Sequence, residues 1–466
     1  MKTLSASTFF LLAFLIAGSS LAQTGYKLNF KIDGLKDTTA YLAYYWADGT
    51  YLKDTAKVNS RGEFQFDGTV KLPQGAYLLV LNKQKMFDFI VGSNQHFTLA
   101  TSSADPIGNM RCTDQDNKLF FENMLRSGER YKLVRILEDS ASTDSEKDKA
   151  REQAAKLNKA ATDFHTELIK KYPGTVTARI LNATRPIEIP ESPKRDDGTI
   201  DSTFQLRWYR EHFFDNFDLA DDALIRVPGK MYQQKVSEYL DKLFVQHPDS
   251  LLGPLDKIIS VAKKNRDTYR YLVYLCMIKY QEHEIMGLDE VYVKLYDKYF
   301  ASGEMNFWAS EKMRKIIKDE ADRMRRSLVG RTGANLIMQD VNLEPRAMYD
   351  IKNKYTILFI FDPDCPTCKQ ETPKLVSFYK QKKFDVEVYA VSLDTSMAKM
   401  RDMVAKMNLE WITVNGPRSY VGPVQQLYDA PRTPSLYILD NKKKIIAKKI
   451  GVEQVETFLT NYEQRP

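Results

Sequence analysis

Two cysteines, Cys365 and Cys368, stand two residues apart in YTILFIFDPDCPTCKQETPKL, the stretch from Tyr355 to Leu375. A pair at this spacing can carry thiol–disulfide exchange: one sulfur attacks a disulfide and the other resolves the mixed disulfide. The attacking species is the thiolate. A helix N-terminus favours it, since unpaired N–H groups and the helix dipole stabilise negative charge. The local sequence supplies that terminus. Tyr355–Phe361 is a continuous apolar run, as in a central strand covered on both faces, and it stops at Asp362-Pro363-Asp364. Pro366 then suits the first helical position, where no N–H is needed. The acids oppose the helix. At ~6 Å and an effective dielectric of ~40–80, Asp364 would cost a Cys365 thiolate roughly 0.7–1.4 kcal/mol. That predicts a thiol without the very low pKa of a strong oxidant and a pair biased toward donating electrons.

Other chemistries fit this stretch less well. A zinc site needs four ligands, and from Leu328 onward the chain holds no histidine and no further cysteine. The Thr or Ser three residues ahead of a single reactive cysteine, as in peroxiredoxins, is absent. The chain has four cysteines in all, too few for a disulfide-stapled scaffold. Cys276, in the apolar helical run YLVYLCMIKY, reads as inert core. Cys112 lies in a polar stretch, and a Cys112–Cys276 bridge stays open. His96, His165, His212 and His247 are scattered. His283 has Glu282 and Glu284 beside it, but adjacent residues on a helix face different ways, which argues against a metal site there.

The elements that must position the pair come in three textures. Tyr26 to Cys112 carries short alternating or aromatic runs separated by Gly, Asp and Asn, which predicts an antiparallel β-sandwich over 23–113. From 114 to 327 the chain is rich in Lys, Glu, Leu, Ala and Tyr at helical spacing, a central all-α domain. From 328 to 466 strands alternate with helices, the pattern of an α/β sheet. The fold class expected is therefore multidomain α+β with a C-terminal α/β domain.

Three further features sharpen this last domain. Pro373 falls inside the helix after the cysteines, Thr433-Pro434 directly precedes the strand SLYILD, and a βαβ frame surrounds both. Together they resemble the thioredoxin fold. That resemblance implies a cis-proline at Pro434 facing the dithiol, Cys365 as the exposed nucleophile and Cys368 as the resolving thiol. The room for an extra helix and strand between Ser396 and Gly416, and Glu371 three residues after Cys368, are similar to the TlpA/ResA branch of exported thiol–disulfide oxidoreductases. In that branch the matching glutamate helps move protons, which implies the same role for Glu371. The two earlier domains resemble β-rich and helical modules found ahead of such domains in secreted bacterial proteins. One departure stands out: the family usually has tryptophan before the first cysteine, where this chain has Asp364.

The N-terminus adds a compartment. Lys2, the apolar run Phe9–Ala17 and small residues at Ser20 and Ala22 read as a secretory signal peptide over 1–22, cut after Ala22. No lipid attachment site and no later transmembrane run is evident, so the mature chain is expected to be soluble outside the cytoplasm. A formal charge of +7 is mild, and nucleic acid is an unsuitable partner for an exported chain. The expected activity is reduction of disulfides in exported proteins. It needs no bound cofactor, but a membrane electron donor or another thioredoxin must recycle the dithiol. The reading of a different class is a binding protein, in which the first two domains recognise a partner or glycan and the redox fold is structural.

Overall fold

The computed structural model describes residues 25–139 and 142–464. The expected signal peptide lies outside them. Two compact units form, one holding the chain up to Pro186 together with Asp222–Met231, the other Ile187–Asp221 and Tyr232 onward.

The first unit begins with eight strands: β1 (Tyr26–Asp33), β2 (Thr39–Trp46), β3 (Gly49–Lys57), β4 (Glu63–Gly68), β5 (Gly75–Leu81), β6 (Gln84–Val91), β7 (His96–Ser102) and β8 (Arg111–Cys112). They make two four-stranded sheets, ordered β4-β1-β7-β8 and β3-β2-β5-β6. In β1 the buried side chains are every second residue, Tyr26, Leu28, Phe30 and Ile32, as a strand with one covered face requires. They meet Leu42, Tyr77, Leu79 and Phe89 of the other sheet in one apolar core, so the unit is a sandwich. One pair departs from the expected antiparallel pattern: β1 and β7 run parallel. The chain between them, through β2 to β6, builds all of the second sheet and adds β4 to the first before it returns. Three helices follow, α1 (Gln115–Glu138), α2 (Asp144–Lys171) and α3 (Val176–Ala183). Asn117 ties α1 to β6 by accepting from Ile90 N–H at 2.7 Å and donating to the Ile90 carbonyl at 2.8 Å.

The second unit holds α4 (Phe204–His212), α5 (Met231–Lys242), α6 (Pro248–Ala262), α7 (Arg266–Gln281), α8 (Asp289–Leu295) and α9 (Glu311–Arg326). An α/β segment completes it: β9 (Ile337–Asp340), β10 (Pro345–Ala347), β11 (Tyr355–Phe361), α10 (Pro366–Lys380), β12 (Val386–Ser392), α11 (Met397–Met407), β13 (Ile412–Asn415), β14 (Arg418–Ser419), β15 (Gly422–Pro423), α12 (Val424–Leu427), β16 (Ser435–Asp440), β17 (Ile445–Lys448) and α13 (Val455–Glu463). Its seven-stranded sheet has the order β10-β9-β13-β12-β11-β16-β17. β11 lies inside it, parallel to β12 and antiparallel to β16. All seven of its side chains are buried. Tyr355, Ile357, Phe359 and Phe361 face a core shared with α10 and α13, while Leu358 and Ile360 face a second core on the other side. Each such burial stabilises the fold by roughly 1.5–3 kcal/mol. No helix among the described residues is long and apolar enough to cross a membrane.

Candidate active site

The site grows from the end of β11. Asp362 ends the strand by turning the chain: its carboxylate accepts from Asp364 N–H at 2.8 Å and its carbonyl from Cys365 N–H at 3.1 Å. Asp362 thereby shapes the entry to the helix that follows. It sets Cys365 as the N-cap of α10, with extended backbone angles and Pro366 at the first helical position. The Cys365 sulfur accepts the otherwise unpaired N–H of Cys368 at 3.3 Å. Pro373 lies inside α10, as expected from the sequence.

The second half of the site comes from far along the chain. The antiparallel register of β11 and β16 pairs Ile360 with Ser435. Thr433 and Pro434, just before Ser435, therefore arrive beside the end of β11. The Thr433–Pro434 peptide bond is cis. The Cys365 thiol donates to the Thr433 carbonyl at 3.5 Å. Sequence alone does not bring out Thr433 as a neighbour of the sulfurs; its signal was its place before the proline.

The two sulfurs differ sharply. Cys368 is fully buried, and burial above all pushes its thiol up to about 12. Cys365 is partly exposed. Burial raises it too, but hydrogen bonds from the Cys368 thiol and N–H, from the Thr433 side chain and from the Thr367 backbone outweigh that and hold it below the ordinary cysteine value. The expected penalty from Asp364 is not among these influences. Its exposed carboxylate is paired with Lys399 of α11 at 2.6 Å, and the same ammonium pairs with Asp394 at 2.9 Å. The acids near the nucleophile thus face a lysine, so the charge expected to oppose the thiolate carries its own counter-ion. Asp362, Asp364 and Asp394 lie close enough to resemble a cation site, but the Lys399 ammonium already sits on two of them. With Lys399→Met, Asp364 loses its counter-charge, and the alkylation profile of Cys365 should move to higher pH. Adding Asp364→Asn should return it. An unmoved profile in Lys399→Met would mean that the carboxylate does not reach the sulfur electrostatically.

Glu371 lies on α10, half-buried, with its carboxylate 2.6 Å from Lys374. It faces a cleft of about 520 Å³ that also touches Thr367 and Pro434. The other two cysteines are remote in character. Cys112 and Cys276 are both unpaired, and burial pushes each up to about 12. The bridge between them left open by the sequence is not formed. His283 stacks on Tyr280 and accepts from Ile285 N–H at 3.0 Å, with no metal-ligand cluster around it among the described residues.

Three families match along the chain. Residues 26–116 match a domain of unknown function (DUF4369), residues 140–321 another (DUF5106), and residues 353–445 the family described as thioredoxin-like. The C-terminal segment that carries Cys365 and Cys368 belongs to the thioredoxin-like family. Among solved structures, a domain of a possible thiol-disulfide isomerase from Cytophaga hutchinsonii is 36% identical. The match covers 29% of this chain and 94% of that one, with a TM-score of 0.28. A thioredoxin-like protein from Bacteroides caccae is 19% identical over 59% of this chain and 100% of that one, TM-score 0.48. A thiol:disulfide interchange protein from Bacteroides sp. is 23% identical over 30% of this chain and 95% of that one, TM-score 0.27. No curated protein matches the chain. A thioredoxin-like domain with an adjacent thiol pair supports a redox role.

Proposed function

We propose that the chain is an exported thiol–disulfide oxidoreductase that reduces disulfides in extracytoplasmic proteins, with Cys365 as nucleophile and Cys368 as resolving thiol. The asymmetry of the two sulfurs carries this reading: one partly exposed and lowered, the other buried and raised. The Cys365 thiolate attacks a client disulfide, forms a mixed disulfide and expels one client sulfur as thiolate. Cys368 loses its proton and attacks the Cys365 sulfur. The second client sulfur leaves, and a Cys365–Cys368 disulfide remains. Two electrons have passed to the client, and a thioredoxin-type or membrane donor must return them. Glu371, half-buried on the cleft beside Thr367 and Pro434, is the group proposed to move the Cys368 proton. Pro434 is proposed to hold the Thr433 backbone against the dithiol. The helix α11 and strand β13, inserted between the dithiol and Pro434, favour the TlpA/ResA branch.

The direction rests on how the thiolate is stabilised. Hydrogen bonds from an N–H and a thiol are modest next to the charge stabilisation that makes a dithiol strongly oxidising. Equilibration of the full chain with glutathione should place the pair nearer the roughly −270 mV typical of reductants than the about −120 mV of strong oxidants. The reduced chain should also precipitate insulin by reducing its bridges. A potential at the oxidising end would reverse the direction, and an inert chain in both assays would remove the reading.

A further inference from the structure

The cleft beside the dithiol has a wall that the α/β segment does not supply. The stretch between α7 and α8, Gln281 to Asp289, lines it opposite Thr367, Pro434 and Ile450. Three contacts hold that stretch in place. Arg432, two residues before Pro434, pairs with Glu282 at 3.1 Å. Lys448 of β17 donates its backbone N–H to the Met286 sulfur at 3.2 Å and pairs through its ammonium with Asp289 at 2.6 Å. The wall is thereby tied to the loop that carries the cis-proline and to β17.

The surface of the cleft has two chemical features. Ile285 and Met286 remain 43% and 36% exposed on the wall, an uncovered apolar patch next to a reactive sulfur. The charges are unbalanced. Each lining cation is already committed: Arg432 to Glu282, Lys448 to Asp289, and Lys449 to the buried Asp429 at 2.5 Å. Glu371 and Glu453 share one lysine, Lys374, at 2.6 and 3.5 Å. Glu284 is exposed and takes part in no ion pair among the described residues. A cleft with spare carboxylates and an apolar strip suits a polypeptide that carries basic and apolar side chains.

We propose that this cleft receives the client: an extended segment flanking the client's disulfide, with lysine or arginine set against Glu284 and Glu453 and an apolar side chain on Ile285 and Met286. The helical part of the chain is thereby a specificity wall for the dithiol. This rests on the oxidoreductase reading above, and the experiment separates the two.

The test uses the full chain and three substrates: hydroxyethyl disulfide, and two disulfide-closed peptides alike except for flanking lysines or flanking glutamates. The small neutral disulfide needs only the dithiol. The lysine-flanked peptide should be reduced with a kcat/KM about tenfold above that of the glutamate-flanked one, a gap of about 1.4 kcal/mol. Added salt should narrow it. Glu284→Lys, an exposed change, should cut the ratio severalfold through KM and leave hydroxyethyl disulfide reduction unchanged. Ile285→Ser should raise KM for both peptides. Equal rates for the two peptides, or a ratio untouched by Glu284→Lys, would overturn the cleft assignment while the redox reading stands. Failure to reduce hydroxyethyl disulfide would overturn both.

Discussion

Cys365→Ala should lose protein-disulfide reduction by at least about a thousandfold, because no other thiol in the site can take over the attack. Cys368→Ala should behave differently. It keeps the attacking sulfur but lacks the resolving one, so mixed disulfides with clients should accumulate. Their yield separates the roles: equal trapping by the two variants, or by neither, contradicts the assignment. The pH dependence gives an independent check. Cys365 is held below the ordinary thiol value of 9.0, so its thiolate persists to lower pH than in a free cysteine. Its alkylation rate should fall only as the pH drops through that lowered value. Cys368, pushed up to about 12, should resist alkylation across the neutral range and stay protonated until client attack. Part of what lowers Cys365 is the Cys368 thiol itself. In Cys368→Ala the Cys365 profile should therefore move to higher pH. An unchanged profile would mean that the backbone N–H groups alone stabilise the thiolate.

Asp429→Ala should cost the second unit about 3–5 kcal/mol, the range for removing one partner of a buried ion pair. Asp429 is fully buried and holds Arg323 of α9 at 2.6 Å and Lys449 at 2.5 Å. Arg323 also pairs with Glu320 at 2.5 Å. Lys448, whose side chain is 2% exposed, lies 3.9 Å from Asp429 and 2.6 Å from Asp289. Removing Asp429 leaves the buried Lys448 and the partly buried Arg323 and Lys449 with too few carboxylates. The loss should appear as a lower urea midpoint by tryptophan fluorescence, since Trp208, Trp308 and Trp411 all lie in this unit. Lys315→Ala, on α9 of the same unit, is the matched control. It breaks an exposed helix pair with Asp319, and it should leave the midpoint where it was. An equally stable Asp429→Ala would show that the three cations find water or other partners once the carboxylate is gone. Asp429 also sits five residues before Pro434, so the same variant should disturb the loop that presents the Thr433 carbonyl to Cys365.

What the sequence could determine was local. An apolar run with both faces hydrophobic required a covered strand, and β11 occupies those seven residues, Tyr355–Phe361. A cysteine ahead of a proline that opens a helix required an N-cap sulfur, and Cys365 is one. The alternation in β1 and the 28-residue helical pattern of α2 were legible for the same reason. Periodicity and capping depend on neighbours within a turn or two. The charge on Asp364 was not legible in this way. Its fate depended on Lys399, 35 residues away, and on how α11 lies against the end of β11. The expectation of a penalised thiolate treated the carboxylate as solitary, and packing supplied its counter-ion. The parallel pairing of β1 with β7 was hidden likewise, because a strand's alternation does not record the direction of its neighbour. The Arg323–Asp429 pair joins residues 106 apart, and the Gln281–Asp289 wall meets residues more than a hundred positions further on. No periodicity marks such contacts. They exist because two apolar surfaces had to be buried against each other, and the charges between them then had to find partners where the packing left them.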